Sequence, residues 1–491
     1  MSVVQSVDNV ALLPAYLAAG TAVFVLLVDL VLARAGATVA AAGVGAVATA
    51  AGAALTGAGE TRRTFCVGAD CSWLADDRAA LVAVVFALLT LGVLAISWPL
   101  LRSGPTPVGE YCFLLACSMT GGVVLGAAGD LITLIVALET LTLPLYVLVG
   151  LRRGSVASAE AAVTFFVVSV VATTLTLLGA ALLYAVTGGV HLGRLGALFG
   201  ERPELLDVPL TTAAVALVVL GLAFKVAAVP FHAWAPATYD GAPLPVAAYL
   251  STASKLGGVV ALLAVVERAL PATVTGPVLA LLAVLTMTVG NLVALRQRRT
   301  VRLLAWSSVA QAGYILAPLG ALALAAGRTD EARAAAYAAA VAYAVFFVLL
   351  ELAAFAAVVT LRPAGADGGT LDDLRGAARR RPWVGGAFAL ALVGLAGLPP
   401  GLAGLFAKVT VVRSLLDGGA GWLALVVAVN AVIGLAYYLR LAATLWAAPT
   451  ADGAPAPARP AGAVAAALAV ATALAVLVGF APQLVLDLAA R

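Results

Sequence analysis

Three lysines, Lys225, Lys255 and Lys408, are the only ones in 491 residues, and each lies inside or at the rim of a long apolar segment. The other 25 of the 28 basic residues are arginines, which keep to segment ends and loops. An arginine does not give up its proton in a protein, whereas an amine held away from water can alternate between ammonium and free amine. Dealt at random over the basic positions, lysine would take the three most embedded ones in roughly one arrangement in three thousand, which matters because ionisable groups inside a membrane default to functional ones. A GC-rich genome explains why surface lysines became arginines, but not why these three remained.

Glu139 lies about nine residues into the apolar run that follows Asp130. An isolated carboxylate at that depth is costly and needs a partner or a proton, and Lys225 is the partner expected by depth. Such a pair reads either as a static ion pair that fixes helix register or as a gate for protons. At an effective dielectric near 20, parting the charges from about 4 to about 8 Å weakens their attraction by about 2 kcal/mol. That is comparable to the roughly 2.3 kcal/mol needed to move one charge against 100 mV. Lys255, preceded by the hydroxyl-bearing Ser251-Thr252-Ala253-Ser254, and Lys408, about a turn and a half before Arg413, extend the set into a relay along the membrane plane. For Lys408 the competing reading is a side chain that snorkels to the interface. His232 is read as a proton-uptake residue or as a hydrogen-bonded turn residue, and Glu351 as a further relay acid or a protonated, packed one. Asp130 and Asp240, at segment ends, are expected to cap helices or face water. No metal cluster, phosphate loop or nucleophile triad is evident, so the chain is expected to bind no cofactor or metal itself.

These groups need hydrocarbon-embedded helices to hold them. Hydrophobic residues make up 63% of the chain and charged ones 11%, with a mean hydropathy of +1.10, far from the roughly 25% charged residues of soluble domains. The expectation is an all-α polytopic membrane protein, with no basic run suited to nucleic acid. Continuous apolar runs, not alternating ones, favour helices over a barrel. About fourteen segments near the required 20 residues centre at Val23, Ala46, Leu89, Met119, Leu141, Leu175, Val215, Gly257, Val284, Ala312, Val345, Ala396, Ala431 and Ala471. The first lacks a basic flank and is too long for a signal sequence, and so reads as an uncleaved span. Arg152-Arg153, Arg296 to Arg302 and Arg379 to Arg381 fall in loops an even number of segments apart. This puts them on the cytoplasmic side of a cell inner membrane and both termini outside. Cys112 and Cys117, five apart in one helix, are expected to pack; Cys66 and Cys71, in the polar stretch TRRTFCVGADCSW, suit either a disulfide or two free thiols.

Two segments are broken by proline close to a lysine, LAFKVAAVPFHAWAPATYDGAPLP and LVGLAGLPPGLAGLFAK. Within a single membrane domain over 1–491, this divides the chain into three N-terminal helices (1–109), two inverted five-helix repeats (110–268 and 269–446), each with a broken fourth helix, and a C-terminal loop and last helix (447–491). Small-residue runs such as GGVVLGAAG are expected to serve close helix packing.

The stretches EYCFLLACSMTGG, DLITLIVALETLTLPLYVLVGLRR, SAEAAVTFFVVS, FKVAAVPFHAWAPATYDGAPLPVAAYLS, LAWSSVAQAGYIL and GLPPGLAGLFAKVTVV give the chain a further character. Over nearly its whole length it resembles the antiporter-like membrane subunits of NADH-quinone oxidoreductase, respiratory complex I. A lysine at position 408 and a short C-terminus lean toward the N-type branch over types M and L. The resemblance implies that Glu139 and Lys225 form the ion pair of the fifth and seventh helices. Lys255 would be the central lysine of the eighth, and Lys408 the terminal lysine of the broken twelfth. It also implies proton movement driven by quinone reduction elsewhere, with NADH, FMN, iron-sulfur clusters and quinone held by partner subunits. The membrane partners would be the M- and L-type subunits and small subunits A, J and K. Three positions depart from the usual pattern of the family: Asp240 where glutamate is commoner, Gln311 where histidine is, and Glu351 at a usually uncharged place. The D-type component of multisubunit cation/proton antiporters shares the fold and charge pattern, and a passive helical scaffold is the third reading.

Overall fold

A computed structural model describes residues 6–103, 106–152, 154–448 and 462–490. Helices α1 (Leu13–Leu32) and α2 (Ala35–Gly57) form an antiparallel pair, followed by a two-stranded hairpin, β1 (Arg62–Val67) and β2 (Asp70–Ala75), and by α3 (Asp77–Ser103). Next come α4 (Val108–Gly126), α5 (Leu131–Val149), α6 (Val156–Thr187), the short amphipathic α7 (Leu192–Glu201), α8 (Pro209–Val226), α9 (Trp234–Gly241), α10 (Leu244–Tyr249) and α11 (Lys255–Arg268). A π-helical turn over Leu250–Ser254 joins the last two. The second half holds α12 (Ala272–Ala294), α13 (Thr300–Gly320), α14 (Asp330–Leu361), α15 (Ala377–Arg380), α16 (Pro382–Ala396), α17 (Leu402–Asp417), α18 (Gly421–Trp446), α19 (Gly462–Phe480) and α20 (Gln483–Ala490).

Twelve of the fourteen expected segments are helices long and apolar enough to cross a membrane. The segment near Ala312 is α13, a 21-residue helix buried over almost its whole length and made more polar by Ser307, Ser308 and Gln311. The segment near Ala396 is split into α16 and α17 around Pro399 and Pro400. Continuous helices keep every backbone bond within one segment, the one arrangement hydrocarbon tolerates apart from closed barrels.

Small residues set the closest approaches. A Cβ on Gly121 would overlap the backbone of Leu141, so GGVVLGAAG does bring α4 onto α5. A Cβ on Gly258 would lie 2.7 Å from the backbone carbonyl carbon of Lys225, so α11 crosses α8 at the level of that lysine. A Cβ on Gly404 would overlap the Gly394 carbonyl, which clamps α17 onto α16 beyond the break.

The stretch containing Cys66 and Cys71 is not a plain loop but the β1–β2 hairpin, with the two cysteines paired across it and disulfide-bonded. Gly68 takes the left-handed φ of +65° that the turn needs. The hairpin is tied to the start of α5, because Leu74 donates to the Ala127 carbonyl and Gly129 to the Ser72 carbonyl, both at 2.8 Å. Asp130 caps α5, accepting from the Thr133 amide at 2.7 Å. Cys112 is buried and Cys117 partly so, both as packing residues.

Asp8 pairs with Arg62 of the hairpin at 3.0 Å, and α20 shares a cavity wall with Asp76, so both described ends of the chain lie at the hairpin face. The arginine loops gather at the opposite face. There Arg299 bridges Asp240 at 2.7 Å and Asp367 at 2.9 Å, Arg381 donates to the Thr360 carbonyl, and Arg152 lines a small cleft with Pro243 and Pro363. Arg153 lies outside the described residues. Asp240 is thus neither a free surface group nor a cap but half of an ion pair. Partial burial works against the Asp367 carboxylate, yet the Arg299 guanidinium outweighs it and holds the group below the usual carboxylate range.

Candidate functional site

Glu139 and Lys225 meet as their depths require. Nζ of Lys225 donates to Glu139 Oε1 at 2.8 Å, to Ser169 Oγ at 2.9 Å and to Thr142 Oγ1 at 3.2 Å, so all three ammonium donors are satisfied. The lysine is buried, while Glu139 keeps 20% of its side chain exposed. Thr173 also donates to Glu139 Oε1, and Tyr146 donates to Ser169 at 2.6 Å. Three helices converge here: α5 carries Glu139, Thr142 and Tyr146, α6 carries Ser169 and Thr173, and α8 ends just after Lys225. The partly exposed carboxylate lies on a stripe of α5 whose other members, Ile132, Val136, Leu143 and Val147, are exposed apolar residues at helical spacing.

α8 stops because Ala227 adopts a left-handed φ of +61°, with the Ala228 amide bonding back to the Ala223 carbonyl at 2.9 Å. His232 sits in the break between α8 and α9. Its Nδ1 lies 3.2 Å from the Pro230 carbonyl, and its ring centroid is 5.1 Å from that of Trp306. It makes no bond to the lysines among the described residues.

Lys255 begins α11 directly after the π turn. Its Nζ donates to the Ser308 carbonyl at 2.7 Å and to Ser308 Oγ at 2.6 Å, and lies 6.0 Å from the centre of the Phe347 ring. Of the hydroxyls just before it, those of Ser251 and Thr252 bond back to the Ala248 carbonyl and support their own turn. Glu351 lies on α14 one turn beyond Phe347, the ring that Lys255 Nζ approaches. It is fully buried, and neither carboxyl oxygen has a hydrogen-bond partner among the described residues.

Lys408 does not snorkel. Its side chain turns inward to cap the broken helix, donating to the carbonyls of Leu395 at 2.9 Å and Ala396 at 2.6 Å, with the Tyr314 ring 5.2 Å away. Leu395 also accepts from Gln311 at 3.0 Å, and Gln311 donates in turn to Tyr438 at 2.9 Å and accepts from Tyr343 at 2.6 Å. Tyr438 is hydrogen-bonded to Ser307, the neighbour of Ser308. Apart from the step between those adjacent serines, a hydrogen-bonded thread therefore joins Lys255 to Lys408 through α13, α16 and α18.

The three amines differ in what holds them. Lys225 faces a carboxylate, whereas Lys255 and Lys408 touch only neutral oxygens among the described residues. Neutral acceptors serve an ammonium and, through the remaining N–H bonds, a free amine. A carboxylate partner favours the charged form.

Gly397 fixes the Lys408 site. It has φ of +80°, and a Cβ there would lie 2.7 Å from Lys408 Cδ and 3.0 Å from its Nζ. Gly397→Ala is expected to push the lysine off both carbonyls and to cost about 1–2 kcal/mol for the left-handed backbone alone. A lower thermal midpoint for the detergent-purified protein checks this; an unchanged midpoint contradicts it.

A family model described as NADH:quinone oxidoreductase/Mrp antiporter, transmembrane, matches residues 128–434. The chain is 78% identical to NADH-quinone oxidoreductase subunit N of Salinispora tropica, with all of both chains covered. It is 45% identical to subunit N 2 of Streptomyces griseus over 92% of this chain and 85% of that one. The fold matches a chain of respiratory complex I from Thermus thermophilus with a TM-score of 0.80 and 32% identity, covering 97% of this chain and 99% of the other. A chain of the Mrp complex from Dietzia matches with a TM-score of 0.81 at 23% identity, over 98% and 96% of the two chains, which is likeness of fold alone.

Proposed function

The chain belongs to the subunit N family of NADH-quinone oxidoreductases, antiporter-like membrane subunits of complex I whose family role is proton translocation, and on that premise we propose how its own residues move protons. The observation that carries the reading is the Lys225–Glu139 contact at 2.8 Å, beside two further amines buried on neutral oxygens. With Glu139 in place, Lys225 is held as an ammonium. A helix movement that parts the pair to about 8 Å removes about 2 kcal/mol of attraction at an effective dielectric near 20, and the amine then hands its proton on.

The close crossing at Gly258 brings Lys255, one turn away, to the receiving side. From there the polar thread of Ser308, Ser307, Tyr438 and Gln311 marks the way to Lys408, with water completing the last step, because Gln311 and Lys408 both donate to the Leu395 carbonyl. Glu351, with no hydrogen-bond partner among the described residues, is stable in an apolar setting when it carries a proton. Its place one turn from Phe347, the ring next to Lys255, makes it a holding station near that amine. His232, half-buried in the break and at the arginine-bearing end of α8, takes up protons from that side. On this reading the chain has fourteen crossings in two inverted repeats, lies in the cell inner membrane with the arginine face cytoplasmic and both termini outside, and binds no cofactor. NADH, FMN, iron-sulfur clusters and quinone belong to partner subunits, and the M-, L-, A-, J- and K-type subunits are its membrane neighbours.

Tagging the chain and purifying it from its own membranes tests the assembly. Flavin, iron-sulfur absorbance and NADH oxidation are expected to copurify, and deleting the chain is expected to abolish the NADH-driven proton gradient. Purification without NADH activity, together with salt-sensitive growth on deletion, would instead point to a cation/proton antiporter.

A further inference from the structure

Between α3, α11 and α14, with α20 against one side, lies a cavity of about 350 Å3. Its charged lining, Asp76, Arg78, Glu267 and Arg268, is confined to the hairpin face, and every other lining residue is apolar or glycine. From Arg268 to Leu256 the wall follows α11 for twelve residues, or about 18 Å, which is close to one leaflet of a hydrocarbon core roughly 30 Å thick. Val82, Val85, Val260, Ala264, Val341 and Val345 line it and remain only half-buried within the bundle. α3 and α11 stand apart along this stretch and are joined at the mouth by Arg78, whose Nη1 donates to both Glu267 carboxylate oxygens at 2.7 Å.

The mouth holds two guanidinium groups and two carboxylates, so its charges sum to zero. Arg268 uses one nitrogen on the Ala128 carbonyl at 2.8 Å, and Asp76 uses one oxygen to accept from the Ala79 amide at 2.8 Å. The guanidinium keeps further donors and the carboxylate a further oxygen for a ligand. We propose that this slot binds one acyl chain of a zwitterionic phospholipid, with its phosphate on Arg268 and its ammonium on Asp76. A guanidinium suits a phosphate by its planar donor fork. Glu267 is already paired with Arg78, so a headgroup without an ammonium would leave Asp76 without a cation, and a neutral quinone head would leave the charged mouth unmatched.

The floor residue, Leu256, adjoins Lys255. A chain filling the slot therefore closes the approach to that amine from the hairpin face, so protons reach it through the relay and not directly. Binding stands independently of the proton route; only this sealing role rests on it.

The test uses the assembled enzyme in nanodiscs containing phosphatidylethanolamine with a diazirine near the chain end. Adducts are expected on peptides covering 256–264 and 341–345. Val260→Trp fills the slot and is expected to lower them about tenfold, with Ala264→Trp as the alternative if that variant does not assemble. Arg268→Gln is expected to lower them about fivefold by removing the phosphate contact. No adducts in the unaltered enzyme, or equal labelling in Val260→Trp, overturns the site. Equal labelling by a phosphatidylglycerol probe overturns the headgroup assignment, and displacement by a photoactivatable quinone overturns the occupant. None of these readings uses proton pumping, so failure of the relay and failure of the lipid site are distinguishable.

Discussion

Lys225→Gln in the assembled enzyme is expected to lower NADH-driven proton translocation about tenfold or more, since transfer by a positioned group is typically worth on the order of 10²–10⁴ in rate. The same change removes the counter-charge of Glu139, and breaking one side of a buried pair commonly costs about 3–5 kcal/mol. Lost pumping alone would therefore not separate a gate from a scaffold. The double variant Glu139→Gln/Lys225→Gln does. Two neutral amides can still hydrogen-bond to each other and to Ser169 and Thr142, so assembly and thermal stability are expected to recover. Pumping is not, because neither side chain then gains or loses a proton. If the pair only fixed helix register, pumping would return along with stability. Dye-monitored acidification of inverted vesicles, with NADH oxidation followed in parallel, distinguishes the two outcomes.

The Glu139–Lys225 contact is legible in the sequence because two isolated charges of opposite sign, Glu139 near mid-segment and Lys225 close to the proline break of its own segment, cannot stay apart in hydrocarbon without large cost. Their polar surroundings are less so. Serine and threonine in membrane helices mostly bond back to their own helix, as Thr140 does to Val136 and Thr174 to Val170. Ser169, Thr173 and Thr176 nevertheless recur at i, i+4 and i+7, a polar stripe on α6 that marks the face turned toward the pair. For Lys255, proximity along the chain misleads. The nearby Ser251 and Thr252 are consumed by a π turn that no residue pattern announces, while the actual partner, Ser308, is 53 residues away. The two proline breaks are legible; that Lys408 caps the upstream half-helix is not, because it depends on the Gly404–Gly394 contact folding α17 back onto α16. The hairpin is hidden because its two strands are only six residues each and lie among helices.

Lys255→Arg separates holding a charge from releasing one. Arginine preserves the positive charge and can still donate to the Ser308 carbonyl and hydroxyl, but it does not deprotonate. A purely structural lysine should tolerate the exchange apart from overpacking against Phe347, a cost of about 1–3 kcal/mol, visible as reduced stability with pumping per assembled enzyme intact. A relay lysine should not: pumping per assembled enzyme is expected to fall about tenfold or more, even in the fraction that retains full thermal stability. Glu351→Gln is the companion. It keeps size and hydrogen-bonding capacity, removes the ionisable oxygen, and alters a buried group with no hydrogen-bond partner among the described residues, so stability should hold or rise. If Glu351 stores the proton beside Lys255, the variant slows pumping several-fold and flattens its dependence on pH, because one titrating station is gone. If Glu351 is only packed, both the rate and the pH profile are unchanged. The two variants together thus locate the proton: loss with Lys255→Arg but not with Glu351→Gln restricts the route to the amines and the Ser307–Tyr438–Gln311 thread, whereas loss with both makes the carboxyl of α14 a member of it.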